Sequence, residues 1–175
     1  MAYLEGDHVP PSRAKDCFFC AIGSGRASVP GLDPPENGTP ESTGVVWRGR
    51  AVFALLNAFP YANGHVMVAP YEHQADLVAL SDEVASEIMA GVRIVLAALG
   101  QTYHPEGFNV GINLGAAAGA GFADHLHVHV VPRWAGDTNF MTTIGGSRVI
   151  PEDLKRTALR VRRAVLQVTE AAEPG

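Results

Sequence analysis

The sequence predicts a single α+β domain with an antiparallel sheet, one long central helix and a C-terminal helix. Short apolar runs bounded by turn residues, typical of strands, are spread along the chain. Apolar residues recur at helical spacing in two long segments, one after residue 81 and one after residue 151. A length of 175 residues with 47% hydrophobic residues suits one domain with a substantial core.

The domain is expected over residues 17–170, between flexible tails at 1–16 and 171–175. Residues 17–22 are expected to form a short helix that ends at neighbouring glycines. Residues 26–44 carry four prolines and several glycines. This is long for a structureless connection in a compact domain, so we interpret it as a flexible surface insertion.

The other elements follow from local patterns. Ser81 is a suitable N-cap for the central helix, which is expected to end at Gly100, and Pro151 starts the final helix. In the final helix the apolar stripe consists of Leu154, Ala158, Val161, Val165 and Val168. Strands are predicted at 45–47, 51–56, 65–69, 108–114 and 127–132.

Charge and composition exclude several classes of partner. Thirteen Lys and Arg residues against eighteen Asp and Glu residues give a net charge of -5, so no positive field surrounds the protein to attract nucleic acid or anionic lipid. No stretch reaches the roughly 18 apolar residues of a membrane span, and the N-terminus resembles no leader. We therefore expect a cytoplasmic protein. Its two cysteines favour metal or redox use over a disulfide framework.

Three histidines, His125, His127 and His129, alternate with apolar residues. On a strand this spacing puts all three on one face, with the intervening residues directed into the core. A neutral imidazole can attack an electrophile, move protons or bind metal near pH 7. The row fits covalent catalysis, a His-x-His metal site, or a strand whose histidines are simply hydrogen-bonded.

The segment 113–121, which precedes the histidines, is rich in glycine and alanine. Such a segment lets backbone N–H groups approach an anion without obstruction, although alone it is equally typical of a tight turn. Beside three histidines it predicts a phosphate pocket and favours covalent catalysis.

Residues 125–131 match the signature His-x-His-x-His-x-x, in which x is hydrophobic. The chain therefore resembles the histidine triad (HIT) superfamily of nucleotide hydrolases and transferases, and we expect a HIT-like fold. The resemblance runs from about Cys17 to Leu154. Segments 63–70 and 53–57 resemble the family's conserved strand and its nucleoside-binding segment. Segments 107–121, 132–141 and 144–147 further resemble the bacterial diadenosine tetraphosphate (AP-4-A) phosphorylase branch.

The resemblance implies a nucleotidyltransferase or hydrolase. His127 would attack the α-phosphorus and form a nucleotidyl-imidazole, while His129 would contact phosphate and assist the leaving group. Orthophosphate or water would then accept the nucleotidyl group, and Mg²⁺ would arrive with the substrate. The family is usually a homodimer built about the central helix and adjoining strands. Met89, Val92 and Leu96 could supply apolar surface for such a contact, and the alternative is a helix fully buried within its own subunit.

The resemblance also assigns substrate contacts. Asn57 would contact the ribose and Asn139 the leaving half, although both asparagines are also ordinary turn or loop residues. The walls of the base pocket would be Phe53 and Leu55. The phosphates would be lined by Asn113, Gly115, Gly119 and Gly121.

One departure from the family bears on the acceptor. Many dinucleoside polyphosphate hydrolases of this superfamily have Gln or Ser four residues before the first histidine, where this chain has Gly121. The missing donor leaves space for a phosphate acceptor and favours phosphorolysis. The alternatives are a dinucleoside polyphosphate or nucleoside phosphoramidate hydrolase, and a nucleotide-binding sensor with incidental turnover.

Cys17 and Cys20 could be a redox pair, free thiols or half of a zinc site. No βαβ pattern surrounds them, which argues against a thioredoxin-like role. Several triad relatives bind structural zinc through a Cys-x-x-Cys, a histidine after the conserved strand and the first triad histidine. The resemblance therefore implies Cys17, Cys20, His73 and His125 as ligands, with no chemical role for His125.

Overall fold

The computed structural model describes residues 13–32, 43–137 and 152–172. Its strands are β1 Val45–Arg48, β2 Val52–Leu56, β3 Val66–Pro70, β4 Gly107–Ile112 and β5 Val128–Arg133. They form one sheet in the order β1-β2-β3-β5-β4, and every neighbouring pair is antiparallel. The mixed α+β architecture and the antiparallel sheet confirm the prediction.

The helices are α1 Phe18–Gly23, α2 Asp82–Tyr103 and α3 Leu154–Ala172. The hydroxyl of Ser81 accepts a hydrogen bond from the backbone N–H of Val84, which confirms the predicted N-cap. Helix α2 continues past the predicted end at Gly100, because His104 adopts the left-handed conformation that closes the helix. Short 3-10 turns, which the sequence patterns did not predict, lie at Arg13–Asp16, Leu77–Ala79 and Ala116–Ala118.

Successive side chains of β2 and β3 lie on opposite sides of the sheet, and both sides are covered by other elements. One side packs against α2 and α3, and we call this side, together with the helix residues that cover it, the helical face. Its residues include Val52, Ala54, Leu56, Val66, Val68, Val92, Leu99 and Val161. The other side, which we call the site face, packs against α1; it includes Phe19, Ile22, Val29, Phe53, Leu55 and Met67. The predicted stripe of α3 lies on the helical face.

The expected insertion and the expected tails lie only partly within the described residues. Val29 is fully buried on the site face, and its N–H donates to the carbonyl of Thr43 at 2.8 Å, so the ends of the expected insertion at 26–44 are anchored. Residues 33–42 lie outside the described residues, as do 1–12 and 173–175 of the expected tails.

The expected apolar surface of α2 is only partly present. Met89 is 55% exposed, whereas Val92 is 1% exposed and Leu96 packs against the helical face. The prediction is therefore wrong for Val92, which the core of its own subunit covers. Within the described ranges, no helix is long and apolar enough to cross a membrane.

Candidate functional site

The histidine row lies at the start of β5, on the site face. The strand begins at Val128, so His125 and His127 lie in the segment that leads into it and His129 lies within it. The predicted alternation holds, because the residues packed on the helical face are Leu126, Val128 and Val130. The three imidazoles therefore share the opposite side of the chain.

The hydrogen bonds of His127 determine which of its nitrogens can react. Nδ1 lies 2.8 Å from the carbonyl oxygen of His125. A carbonyl only accepts, so Nδ1–H donates and Nε2 keeps its lone pair. Burial lowers the pKa of His127 despite this bond, so the ring is neutral at pH 7. Neutral His127 thus has an Nε2 lone pair that is chemically able to attack an electrophile.

His129 is oriented by His65, a residue that sequence reasoning did not single out. The N–H of Tyr61 donates to His65 Nδ1 at 3.1 Å, which places the proton of the neutral His65 ring on Nε2. That Nε2 lies 3.0 Å from Nδ1 of His129 and donates to it. Burial, followed by the nearby His127, lowers the pKa of His129 to about 4, so neutral His129 carries its own proton on Nε2.

An aromatic ring covers two of the histidines. Phe19, on α1, stacks on His125 with ring centroids 5.0 Å apart and on His127 with centroids 4.7 Å apart. The ring of His129 meets His127 nearly at right angles, with centroids 4.8 Å apart. Phe19 lies between the two cysteines of the Cys-x-x-Cys motif. This motif indicated a role for the cysteines but none for Phe19.

The structure brings together the four predicted metal ligands. Nε2–H of His125 donates to the carbonyl of Pro70 at 2.9 Å, which leaves Nδ1 free. This Nδ1 lies 3.4 Å from the sulfur of Cys17 and 3.7 Å from that of Cys20. Nδ1 of His73 lies 3.4 Å from the sulfur of Cys20. All four ligand atoms lie within 4.8 Å of one another.

This four-residue cluster fits a tetrahedral metal ion. Zinc bonds of about 2.3 Å to sulfur and about 2.0 Å to nitrogen place neighbouring ligand atoms roughly 3.6 Å apart. The sulfur–nitrogen distances of 3.4 to 3.7 Å match that edge. Burial and the neighbouring Cys17 raise the pKa of the Cys20 thiol to about 12, so a cation is needed to hold its thiolate.

The glycine-rich segment leaves the sheet beside the histidines. Ile112 pairs with Val128 across β4 and β5, so the chain that follows Ile112 starts level with His127. Gly115 and Gly119 have φ values of 80° and 84°, which side chains disfavour. A Cβ at Gly121 would meet no heavy atom of the described ranges within 4 Å, so these ranges leave room for a side chain at this position.

The expected base pocket needs correction. Phe53 and Leu55 are both 0% exposed on the site face, where Phe53 stacks on Tyr71, so neither offers a free surface to a base. The side-chain oxygen of Asn57 accepts from the N–H of Phe59 at 2.9 Å, which is the turn-capping alternative. Asn113 donates to the carbonyl of Gly119 within the glycine segment. Asn139 lies outside the described residues.

Comparisons with known proteins agree with this geometry. The HIT domain family matches residues 40–136. A protein of Mycobacterium tuberculosis (strain H37Rv) named AP-4-A phosphorylase is 51% identical over 113 residues, which cover 65% of this chain and 58% of that protein. The adenosine 5'-monophosphoramidase hnt1 of Schizosaccharomyces pombe is 40% identical over 80 residues, which cover 46% of this chain and 56% of that protein.

A solved structure has the same fold. The crystal structure of a Zn-bound histidine triad family protein from Mycobacterium smegmatis superposes with a TM-score of 0.70 at 28% identity. The superposition covers 90% of this chain and 99% of that one. This chain spans only 58% of the length of the M. tuberculosis relative, so the match does not extend over that whole protein.

Proposed function

Because this chain belongs to the HIT domain family, we propose that it is a nucleotidyltransferase that cleaves dinucleoside polyphosphates of the diadenosine tetraphosphate type by phosphorolysis. The similarity to a protein named AP-4-A phosphorylase supports this substrate class. The single observation that carries the proposal is the bond from Nδ1–H of His127 to the carbonyl of His125, which leaves Nε2 free to attack.

In the first step, Nε2 of His127 attacks the α-phosphorus, the phosphorus–nitrogen bond forms and the bond to the bridging oxygen breaks. A nucleoside polyphosphate leaves. The ring becomes positively charged, and its Nδ1–H still donates to the His125 carbonyl, which stabilises that charge. Nε2–H of His129, which remains after Nδ1 accepts from His65, would donate to a phosphate oxygen, and glycine-segment amides would hold the remaining charge.

In the second step, an acceptor displaces the imidazole and regenerates neutral His127. Orthophosphate would yield a nucleoside diphosphate, whereas water would yield a nucleoside monophosphate. The space at Gly121 supports orthophosphate, because no side chain among the described residues fills it or presents a donor there. Mg²⁺ bound to the substrate would neutralise part of its charge.

We also propose that Zn²⁺ binds the four-residue cluster. The Cys₂His₂ donor set, its tetrahedral spacing and the similarity to a Zn-bound histidine triad protein support this assignment. The closed ligand set would give the ion a structural role, tying α1 to the loop after β3 and the segment before β5. His125 would then hold metal and perform no chemistry.

The deciding experiment is incubation with diadenosine tetraphosphate, with and without orthophosphate, followed by identification of the nucleotides. We expect ADP and ATP with orthophosphate, and a nucleotide adduct on His127 detectable by mass spectrometry when the acceptor is omitted. Gly121→Gln, which restores a donor, should raise the share of AMP. AMP formed at the same rate without orthophosphate would instead support the hydrolase, and binding without adduct or turnover would support the sensor.

A second candidate function is hydrolysis of nucleoside phosphoramidates, which the similarity to the S. pombe monophosphoramidase favours. The same His127 adduct would form, with an amine as leaving group. A kcat/KM for adenosine 5'-phosphoramidate above that for diadenosine tetraphosphate would favour this candidate.

We further propose a homodimer. Met89 on α2 and Val110 on the edge strand β4 are exposed apolar residues that a second copy could cover. Light scattering of the purified protein should give twice the monomer mass, and a monomer mass at all concentrations would refute the dimer.

A further inference from the structure

We propose that Phe19 is a positioning residue: its ring keeps the imidazole of His127 in the reactive orientation, and the four-residue cluster keeps Phe19 in place. This inference rests on the proposed nucleotidyl transfer, because it concerns the same nucleophile.

The contacts of Phe19 suit this role. Its ring lies at 27° to the ring of His127 and at 24° to that of His125, so one aromatic surface covers both imidazoles. Phe19 is 2% exposed, which leaves it little room to move. His129 meets His127 nearly perpendicularly. His127 is therefore restrained by Phe19 and His129, while its Nδ1 is held by the carbonyl of His125.

Helix α1 has too few residues to hold Phe19 unaided. It spans six residues, and isolated helices shorter than about 12 residues are marginal in water. Cys17 and Cys20 bracket Phe19, and their sulfurs contact Nδ1 of His125 and Nδ1 of His73. The turn that carries Phe19 is thus held at both ends by contacts with histidines that adjoin β3 and β5.

Two connections therefore join the cluster to the nucleophile. Cys17 and Cys20 fix Phe19, whose ring stacks on His127. His125, a cluster member, accepts the Nδ1–H of His127 through its carbonyl. Loss of either connection would let the imidazole tilt and move Nε2 away from the line of attack. A misplacement of this kind lowers turnover on the order of tenfold to a hundredfold.

The test compares Phe19→Leu with Phe18→Leu, a half-buried control on the same helix whose described ring contact is with Phe19, edge-on. For each variant, kcat, KM and bound zinc are measured with diadenosine tetraphosphate and orthophosphate. The tautomer of His127 is read from its ¹⁵N chemical shifts. We expect Phe19→Leu to lower kcat about tenfold or more with KM and zinc unchanged, and to replace the single Nδ1–H tautomer by a mixture. Phe18→Leu should change neither.

A double variant tests the route through the cluster. If the cluster acts on His127 through Phe19, Phe19→Leu should cost little further kcat in a Cys20→Ser background. Full additivity would overturn that connection. Wild-type kcat and tautomer in zinc-loaded Phe19→Leu, or a raised KM at unchanged kcat, would overturn the positioning role.

The two proposals can fail separately. Absence of cleavage by the wild-type protein would refute the proposed function, while the tautomer measurement would still decide the role of Phe19. If Phe19→Leu does not fold, Phe19→Met, which preserves volume without a flat ring, takes its place. If neither folds, the wild-type spectrum decides: a His127 ring that is not protonated solely at Nδ1 overturns the inference.

Discussion

The two faces of the sheet are both buried, but by different chemistry. The helical face is covered by aliphatic side chains of two long helices, which pack without specific partners. The site face combines Phe19 and Ile22 of a six-residue helix with histidines and cysteines that each need a defined hydrogen-bond or metal partner. The contrast predicts that substitutions on the helical face change stability, whereas substitutions on the site face change chemistry.

The largest expected effect comes from separate substitutions of two consecutive residues whose side chains lie on opposite faces. His127→Asn removes the proposed nucleophile and should lower kcat on the order of a thousandfold or more, with a small change in the free energy of unfolding. Val128→Ala should lower that free energy and leave the kcat of the folded protein unchanged, because Val128 belongs to the core of the helical face. Steady-state kinetics and urea denaturation measure both. Retained turnover in His127→Asn would contradict the separation.

Leu99→Ala tests the helical face by itself. Leu99 of α2 is fully buried in the helical face, so its truncation should cost about 3 kcal/mol in the free energy of unfolding. Urea denaturation followed by circular dichroism provides the measurement, and zinc content should be unchanged. A cost well below about 1 kcal/mol would mean that this face is loosely packed.

His65 tests whether the hydrogen-bonded pair on the site face has a chemical role. His65→Leu removes the donor to His129 and should lower kcat about tenfold, roughly the value of one hydrogen bond. His65→Gln, which keeps a donor amide, should recover part of that loss. Equal kcat in the wild type and His65→Leu would show that His129 needs no partner.

The smallest effect concerns acid stability. The pKa of His129 falls from 6.5 to about 4 on folding, mainly through burial, so the unfolded chain binds more protons between these values. The contribution of His129 is therefore complete above pH 6.5 and is lost as the pH falls towards 4. Urea denaturation at pH 7 and pH 5 should show a smaller loss for His129→Asn than for the wild type. Equal losses would contradict the shift.

Local patterns were sufficient for the helical face. Ser81 and the apolar spacing after it predicted α2, and the stripe from Leu154 to Val168 predicted the buried side of α3. These signals are local, because a helix that covers a sheet must repeat its apolar residues every turn. The four cluster residues were predicted through resemblance, and the structure brings them together.

The remaining features depend on contacts between distant parts of the chain. The pair of His65 and His129 and the stack of Phe19 on His127 join residues that only the fold makes neighbours. The resemblance assigned Phe53 and Leu55 to the base pocket, but the sequence of β2 could not tell that α1 and Tyr71 would cover them. The residue pattern of a strand does not show which other element will cover it.

The position of α1 has a practical consequence for how this domain is delimited. The family match begins at residue 40, whereas α1 ends at Gly23. A fragment trimmed to the matched region would keep all three triad histidines yet lose both cysteines of the four-residue cluster and the aromatic cover of His127. Solvent would then reach the imidazole, so such a fragment should be treated as a damaged domain and not as a minimal one.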